Sequence, residues 1–196
     1  MKTDLLIESL EKHISLTDEE RGLICQVVRE RKVKKNQFVV HEGAVQKCTN
    51  FLNQGSMRTY FIDTNGQEHI VQFAIEGWWI SDLQSFIMQV PATFNVQAIE
   101  DCDILELPFE SLEMLYEKVP KMERYFRVIT QRAFVSFQQR VVQNISMSAE
   151  DRYLAFRSKY PKIELRIPQR FIASYLGISA EFLSKIKSRL AQKDKV

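Results

Sequence analysis

Residues 167 to 190, Ile167-Pro-Gln-Arg-Phe-Ile-Ala-Ser-Tyr-Leu-Gly-Ile-Ser-Ala-Glu-Phe-Leu-Ser-Lys-Ile-Lys-Ser-Arg-Leu190, constrain the fold more tightly than any other stretch of this 196-residue chain. Pro168 suits the first turn of a helix, where its missing N–H breaks no bond. Phe171, Ile172, Tyr175 and Leu176 recur at spacings of three and four and give one apolar helical face. Gly177 ends that helix, because glycine accepts the left-handed conformation of a sharp turn. Ser179 suits the N-cap of a second helix, and Glu181 falls in its first turn, where the helix dipole favours an acid. Phe182, Leu183, Ile186 and Leu190 are predicted to form the buried face of this second helix. Ala173 is small where the two helices must approach, and Ser184, Lys185, Lys187 and Ser188 point outward. Two short helices joined by one tight turn read as a helix-turn-helix, a device that sets its second helix in the major groove of DNA. An ordinary helical hairpin is the competing reading.

Charge is distributed to match. Residues 146 to 196 carry 11 Lys and Arg against 5 Asp and Glu, whereas residues 1 to 145 carry 16 against 20. A basic C-terminal part on an acidic body suits a DNA-reading region attached to a control region. The hydrophobic fraction of 45% supports a core, and no apolar run of about 18 residues predicts a membrane span. The charged start, Met1-Lys-Thr-Asp-Leu-Leu-Ile-Glu, does not look like a signal peptide. Cys25, Cys48 and Cys102 are odd in number and far apart, which argues against a disulfide framework and suits a reducing cytoplasm.

Residues 3 to 31 read as short helices, with Leu5, Leu6, Leu10 and Ile14 on one face and a capping box at Thr17-Asp-Glu-Glu20. From about 33 to 108, short β-prone segments alternate with turn residues: Val39-Val40, Phe51-Leu52, Tyr60-Phe61-Ile62, Ile70-Val71-Gln72-Phe73 and Ile104-Leu105-Glu106-Leu107. Asn65-Gly66 between two of them predicts a hairpin. The spacing suggests a jelly roll. Residues 109 to 144 turn helical. After Pro120, the row Met122, Phe126, Ile129, Ala133, Phe137 and Val141 is apolar, and Val128, Val135 and Val142 recur on nearly the opposite side. A helix apolar on two faces must be covered on both, most simply by its own β domain and by the same helix of a second subunit. The expected dimerisation residues are the row from Met122 to Val141. Ser148 and Asp151 then suggest another capped helix, closed by Tyr160-Pro161.

This order of elements resembles the CRP/FNR (catabolite activator) transcription regulators over nearly the whole chain. Gln37-Phe-Val-Val-His-Glu-Gly43, Asn53-Gln-Gly-Ser56 and Asp63-Thr-Asn-Gly66 resemble the turns of that family's β-roll. Glu76-Gly-Trp-Trp-Ile-Ser-Asp-Leu83 stands where the family places its phosphate-binding cassette. The implied class is α+β: a cyclic-nucleotide-binding-like roll over residues 1–118, a dimerisation helix over 119–145 and a helix-turn-helix domain over 146–196. The resemblance implies a cytoplasmic homodimer that binds double-stranded DNA, with RNA polymerase and an unidentified small-molecule effector as further partners and no membrane.

The departures from the family pattern are as informative. Ser81-Asp82 stands where cyclic-nucleotide-binding members carry Gly-Glu for the ribose, and Asp82 retains an acceptor. Ala92 stands where their phosphate-binding arginine stands. A buried phosphate without a cation loses its strongest hydrogen bonds, so cyclic AMP is not expected to bind in the usual mode. Trp78, Trp79, Ser81, Asp82, Thr93 and Asn95 are the candidate lining of a ligand pocket, with simple filling of the roll by the tryptophans as the alternative. Cys25 stands alone where the iron–sulfur branch has a cysteine cluster, and His13, His41 and His69 show no haem pattern. No metal or other cofactor is expected. Only six residues follow Leu190, so the family's β-hairpin wing is expected to be absent.

By resemblance, Ala180, Glu181 and Lys185 hold the base-reading positions. Glu181 suits cytosine N4, Lys185 suits guanine O6 or N7, and Ala180 suits a thymine methyl. Gln169, Arg170, Ser179, Lys187 and Arg189 are candidate phosphate contacts, and Ser184 lies among them. Lys193 and Lys195 stand close behind. The rival readings are a sensor module acting on a protein partner and a cupin-type metalloenzyme. No His-x-His pattern or catalytic triad supports an enzyme.

Overall fold

The computed structural model describes residues 3–193, the side chain of Lys193 excepted. Two helices, α1 (Asp4–Glu11) and α2 (Asp18–Val27), lead in. Thr17 and Glu20 close a reciprocal capping box at the start of α2, a motif worth about 1 kcal/mol.

Eight strands follow: β1 (Arg29–Val33), β2 (Phe38–Val40), β3 (Cys48–Gln54), β4 (Met57–Ile62), β5 (Glu68–Ala74), β6 (Trp79–Ile80), β7 (Asn95–Ala98) and β8 (Cys102–Pro108). They form two four-stranded sheets, ordered β1-β8-β3-β6 and β2-β7-β4-β5, and every pairing is antiparallel. The sheets face each other across Val33, Val40, Leu52, Met57, Ala74, Ile80, Val96 and Ile104. Helix α3 (Leu83–Met88) interrupts the roll after β6.

Gly55 joins β3 to β4 at a φ of +98°, and a Cβ there would stand 2.7 Å from the Asp101 carbonyl. Only glycine fits this approach of two backbones. The Asn65-Gly66 hairpin between β4 and β5 is present, with the Asp63 N–H donating to the Gln67 carbonyl at 3.0 Å.

Beyond the roll lie α4 (Phe109–Lys118) and the 26-residue α5 (Lys121–Ser146). Leu6, Leu10, Ile14 and Ile24 of the lead-in pack with Phe51, Leu105, Leu112, Met122 and Tyr125, closing one side of the roll. The chain ends in α6 (Ala149–Lys159), α7 (Pro161–Arg166), α8 (Gln169–Leu176) and α9 (Ala180–Lys193). Tyr153, Phe156, Ile163, Ile172, Leu176, Leu183 and Ile186 form one core with Tyr60, Ile70, Phe73, Ile75 and Ile99 of the roll.

The structure corrects several expectations. Residues 29–31 begin a strand, not the end of a helix. Arg-Glu-Arg-Lys-Val is tolerated because β1 is an edge strand with largely exposed side chains, and Arg31 pairs with Glu106 at 2.8 Å. The segment after Pro161 forms the short helix α7 where none was expected. Met122 is 1% exposed, enclosed by its own chain, and Phe126 and Ile129 pack against the same cluster. These three therefore anchor α5 to its own chain, with Phe126 and Ile129 half-buried.

The row continues inward not through Phe137 and Val141 but through Ser136, which lies 3.3 Å from the Tyr160 hydroxyl, and Arg140, which donates to the Val71 carbonyl at 2.7 Å. Steps of four residues drift about 40° per step around a helix of 3.6 residues per turn. Ala133, Phe137 and Val141 accordingly rotate out to exposed positions.

Candidate nucleic-acid interface

Pro168 is the N-cap of α8, and Gly177 closes that helix in the left-handed region at φ 68°. The Ile178 N–H returns to the Ala173 carbonyl at 3.0 Å, which turns the chain directly into α9. Ser179 caps this second helix by accepting from the Phe182 N–H at 3.1 Å. Leu183 and Ile186 are buried against α8 and Tyr153, and Ala173 lies at the helix contact. These contacts leave Ser179, Glu181, Ser184, Lys185 and Ser188 exposed along one side of α9, with Ala180 half-buried at its first turn. Hydrogen bonds from its own backbone N–H and from Ser179 hold the Glu181 carboxyl below the usual carboxylate range. It is therefore an anionic acceptor at neutral pH.

The supporting cations differ from expectation. Lys187 turns inward, donating to Glu164 at 2.9 Å and lying over the Tyr153 ring. Arg189 pairs with Glu150 of α6. Neither presents an unpartnered charge to a phosphate. Arg170 is exposed, with its guanidinium 4.8 Å from the Phe171 ring centre, and Gln169 is half-buried beside it. Lys195 and the side chain of Lys193 lie outside the described residues. Phe182, expected in the core, is 47% exposed. Period-3.6 reasoning counted it among the apolar residues of α9, but Leu183 and Ile186 already fill the contact with α8.

The candidate ligand pocket does not assemble. Trp78 closes the turn before β6 and Trp79 opens the strand, and the two side chains pack against different clusters. Trp79 donates through Nε1 to the Tyr125 hydroxyl at 2.9 Å and meets Phe51 and Phe126. Trp78 packs edge-on to Tyr160, the residue that follows α6. Asp82 is 1% exposed. One oxygen accepts from the Ser85 N–H at 3.0 Å, and the other accepts from the N–H groups of Thr93 and Phe94 at 2.8 and 2.9 Å. Its carboxylate thus fastens the start of α3 to the loop before β7 and is not held ready for a ribose. Asn95 is engaged by the Glu42 N–H, whereas Ser81 and Thr93 remain partly or fully exposed. Ala92 is buried, and its backbone pairs with Gly43 and Ala44. A concavity of about 740 Å³ lies elsewhere, between α6, α7 and α9, lined by Leu154, Arg157, Leu165, Lys187 and Leu190.

Known proteins match this arrangement. The cyclic nucleotide-binding domain family matches residues 30–119, which span the roll and α4. The anaerobic regulatory protein of Pasteurella multocida is 25% identical over 95% of this chain and 72% of its own length. The chain is similar over nearly its whole length to regulators of the CRP/FNR type. FixK2 from Bradyrhizobium japonicum superposes with a TM-score of 0.77 at 18% identity, covering 86% of each chain. The c-di-GMP responsive global regulator CLP of Xanthomonas campestris superposes at 0.74 with 13% identity, over 91% of this chain and 93% of its own. The sequence relatives are described as regulatory proteins and transcriptional activators. No helix among its described residues is long and apolar enough to cross a membrane.

Proposed function

We propose that the chain is a homodimeric DNA-binding transcription regulator that reads a pseudo-palindromic operator through α9 and does not take cyclic AMP as its effector. The observation that carries this reading is the capped helix-turn-helix with the Ser179–Glu181–Lys185 side of its second helix open to solvent. Glu181 and Lys185 read base edges, Ser184 lies between them, and Ala180 and Phe182 supply apolar contacts. Gln169, Arg170 and Ser179 meet phosphates. Lys187 and Arg189 act mainly by holding α9 on α7 and α6.

The second subunit docks on the outer side of α5. Arg127, Gln131, Phe134, Gln138, Val141 and Ile145 alternate at spacings of four and three, the spacing of a coiled-coil seam. Phe134 is 59% and Ile145 83% exposed. Phe137 and Val142 flank the seam, and their exposure leaves an apolar face that a monomer would present to water.

Against cyclic AMP stand Ala92, the committed Asp82 and the engagement of Trp79 by Tyr125 and Phe126 of α5. A similar structure is described as c-di-GMP responsive, so this fold serves effectors other than cyclic AMP.

Selection of bound duplexes from a random pool tests the reading. Enrichment of a two-fold palindrome with half-sites about 34 Å apart is expected, weakened steeply by salt and unchanged by cyclic AMP. Absence of any enriched site would overturn it. Lys185→Ala is expected to lose about 1–3 kcal/mol concentrated at one base pair per half-site. A uniform loss across all sequences would reassign Lys185 to a phosphate.

A further inference from the structure

Strand β5 is the edge of its sheet, and an open edge exposes unpaired N–H and C=O groups. Here the C-terminal helices close it. The Ser174 hydroxyl on α8 donates to the Glu68 carbonyl at 2.7 Å and accepts from the Ile70 N–H at 3.1 Å, standing in for a neighbouring strand. Val71 is skipped in the β4–β5 register, and Arg140 of α5 takes its carbonyl. Deeper in the same contact, the buried Arg58 of β4 lies between the Tyr60 and Phe171 rings, 4.1 Å from each, and pairs with Glu68.

The strongest tie lies immediately before the helix-turn-helix. Arg166, the last residue of α7, directs its guanidinium into two carboxylates of the roll. It donates to both oxygens of Glu76 at 2.8 and 2.7 Å and to both oxygens of Glu100 at 2.7 to 2.9 Å. Glu76 sits in the turn between β5 and β6 and opens the cassette segment. It is aligned by the Gly55 N–H, which donates to it at 2.8 Å. Glu100 sits in the turn between β7 and β8. A planar guanidinium bonded along two edges has one orientation, unlike a lysine ammonium. Arg166 is separated from Gln169, the first residue of α8, by only Ile167 and Pro168, so the orientation of the clamp passes directly to α8 and from there to α9.

We propose that Arg166 is a positioning residue: its clamp on Glu76 and Glu100, together with the Ser174 closure of β5, fixes the direction of α9 relative to the roll and thereby sets the half-site spacing the dimer accepts. The proposal rests on the DNA-binding reading above. The clamp leaves the outward side of α9 free, so it orients the helix without covering it. It also places the cassette turn and the recognition element on one rigid connection.

Two measurements on the full chain test this. In hydrogen exchange, β5 is protected in the unaltered protein. In Arg166→Gln its exchange rises at least about tenfold, while β3 and β8 keep their protection. Glu76→Gln combined with Glu100→Gln gives the same result without changing side-chain shape, which guards against a misfolded arginine variant. In binding to duplexes whose two half-sites are moved apart one base pair at a time, the unaltered protein prefers one spacing. The variants flatten that preference by about tenfold while their affinity for a lone half-site is unchanged. A merely structural role would lower affinity at every spacing equally. Freely exchanging β5 in the unaltered protein, or an unchanged spacing profile in the variants, overturns the proposal. Protected β5 with no palindrome bound at any spacing overturns the DNA-binding reading and this proposal with it.

Discussion

Replacing Asp82 with alanine is expected to lower stability by about 3–5 kcal/mol, because three backbone N–H groups lose their only acceptor and a buried site is left hollow. In a domain of this size that corresponds to a fall in Tm on the order of 10 °C. The expectation follows from the geometry of the carboxylate. Ser85 N–H meets one oxygen and the N–H groups of Thr93 and Phe94 meet the other, while the Asp82 N–H itself donates to Gln46 at 2.6 Å. Asp82→Asn keeps one oxygen but turns an NH2 toward donors, so a smaller but clear loss is expected. Thermal or urea unfolding in the absence of any nucleotide measures both. An Asp82→Ala protein as stable as the parent would mean that this carboxylate is held for a ligand and not for the fold. The same geometry supports the proposed indifference to cyclic AMP: the acceptor that the resemblance left available for a ribose is already committed, and the buried Ala92 supplies no cation.

Local backbone chemistry was the legible part of this sequence. Pro168, Gly177 and Ser179 each have a conformational consequence within a few residues, and so do the Thr17–Glu20 box and the Asn65-Gly66 turn. The structure places all of them as their chemistry requires. What depended on partners far along the chain was not legible. Arg166 meets Glu76 and Glu100, 90 and 66 residues away, and nothing near any of the three marks them. β1 escaped notice because its pairing partner β8 comes some 70 residues later and its own residues are almost all charged.

Two further features turn on local geometry. Trp78 stands just before β6 and Trp79 opens it, so the one packs on Tyr160 and the other on Phe51 and Phe126. A row of apolar residues spaced by fours cannot stay on one side of a long helix. Phe134 and Ile145 therefore lie on the exposed side of α5, while Met122, Phe126 and Ile129 pack on their own chain.

The outer side of α5 carries the second large prediction. Phe134→Glu combined with Val141→Glu places four carboxylates along the axis where two copies of the helix would meet. The dimer is expected to weaken at least about a thousandfold, or about 4 kcal/mol, from lost apolar burial and like-charge repulsion. Both side chains are exposed in the single chain, and the inner side of α5 is held by Met122, Phe126 and Arg140. The helical content and unfolding profile of the diluted protein should therefore stay close to those of the parent. Sedimentation across a range of concentrations separates monomer from dimer directly. Binding to a palindrome should then fall toward that of a lone half-site, because a monomer brings only one recognition helix to the duplex. Retention of a stable dimer by this variant would place the subunit interface elsewhere, and the α5 face would need a different occupant. Loss of the dimer with unchanged palindrome affinity would show instead that the two half-sites are read independently, and that the spacing assigned to Arg166 has no partner helix to act against.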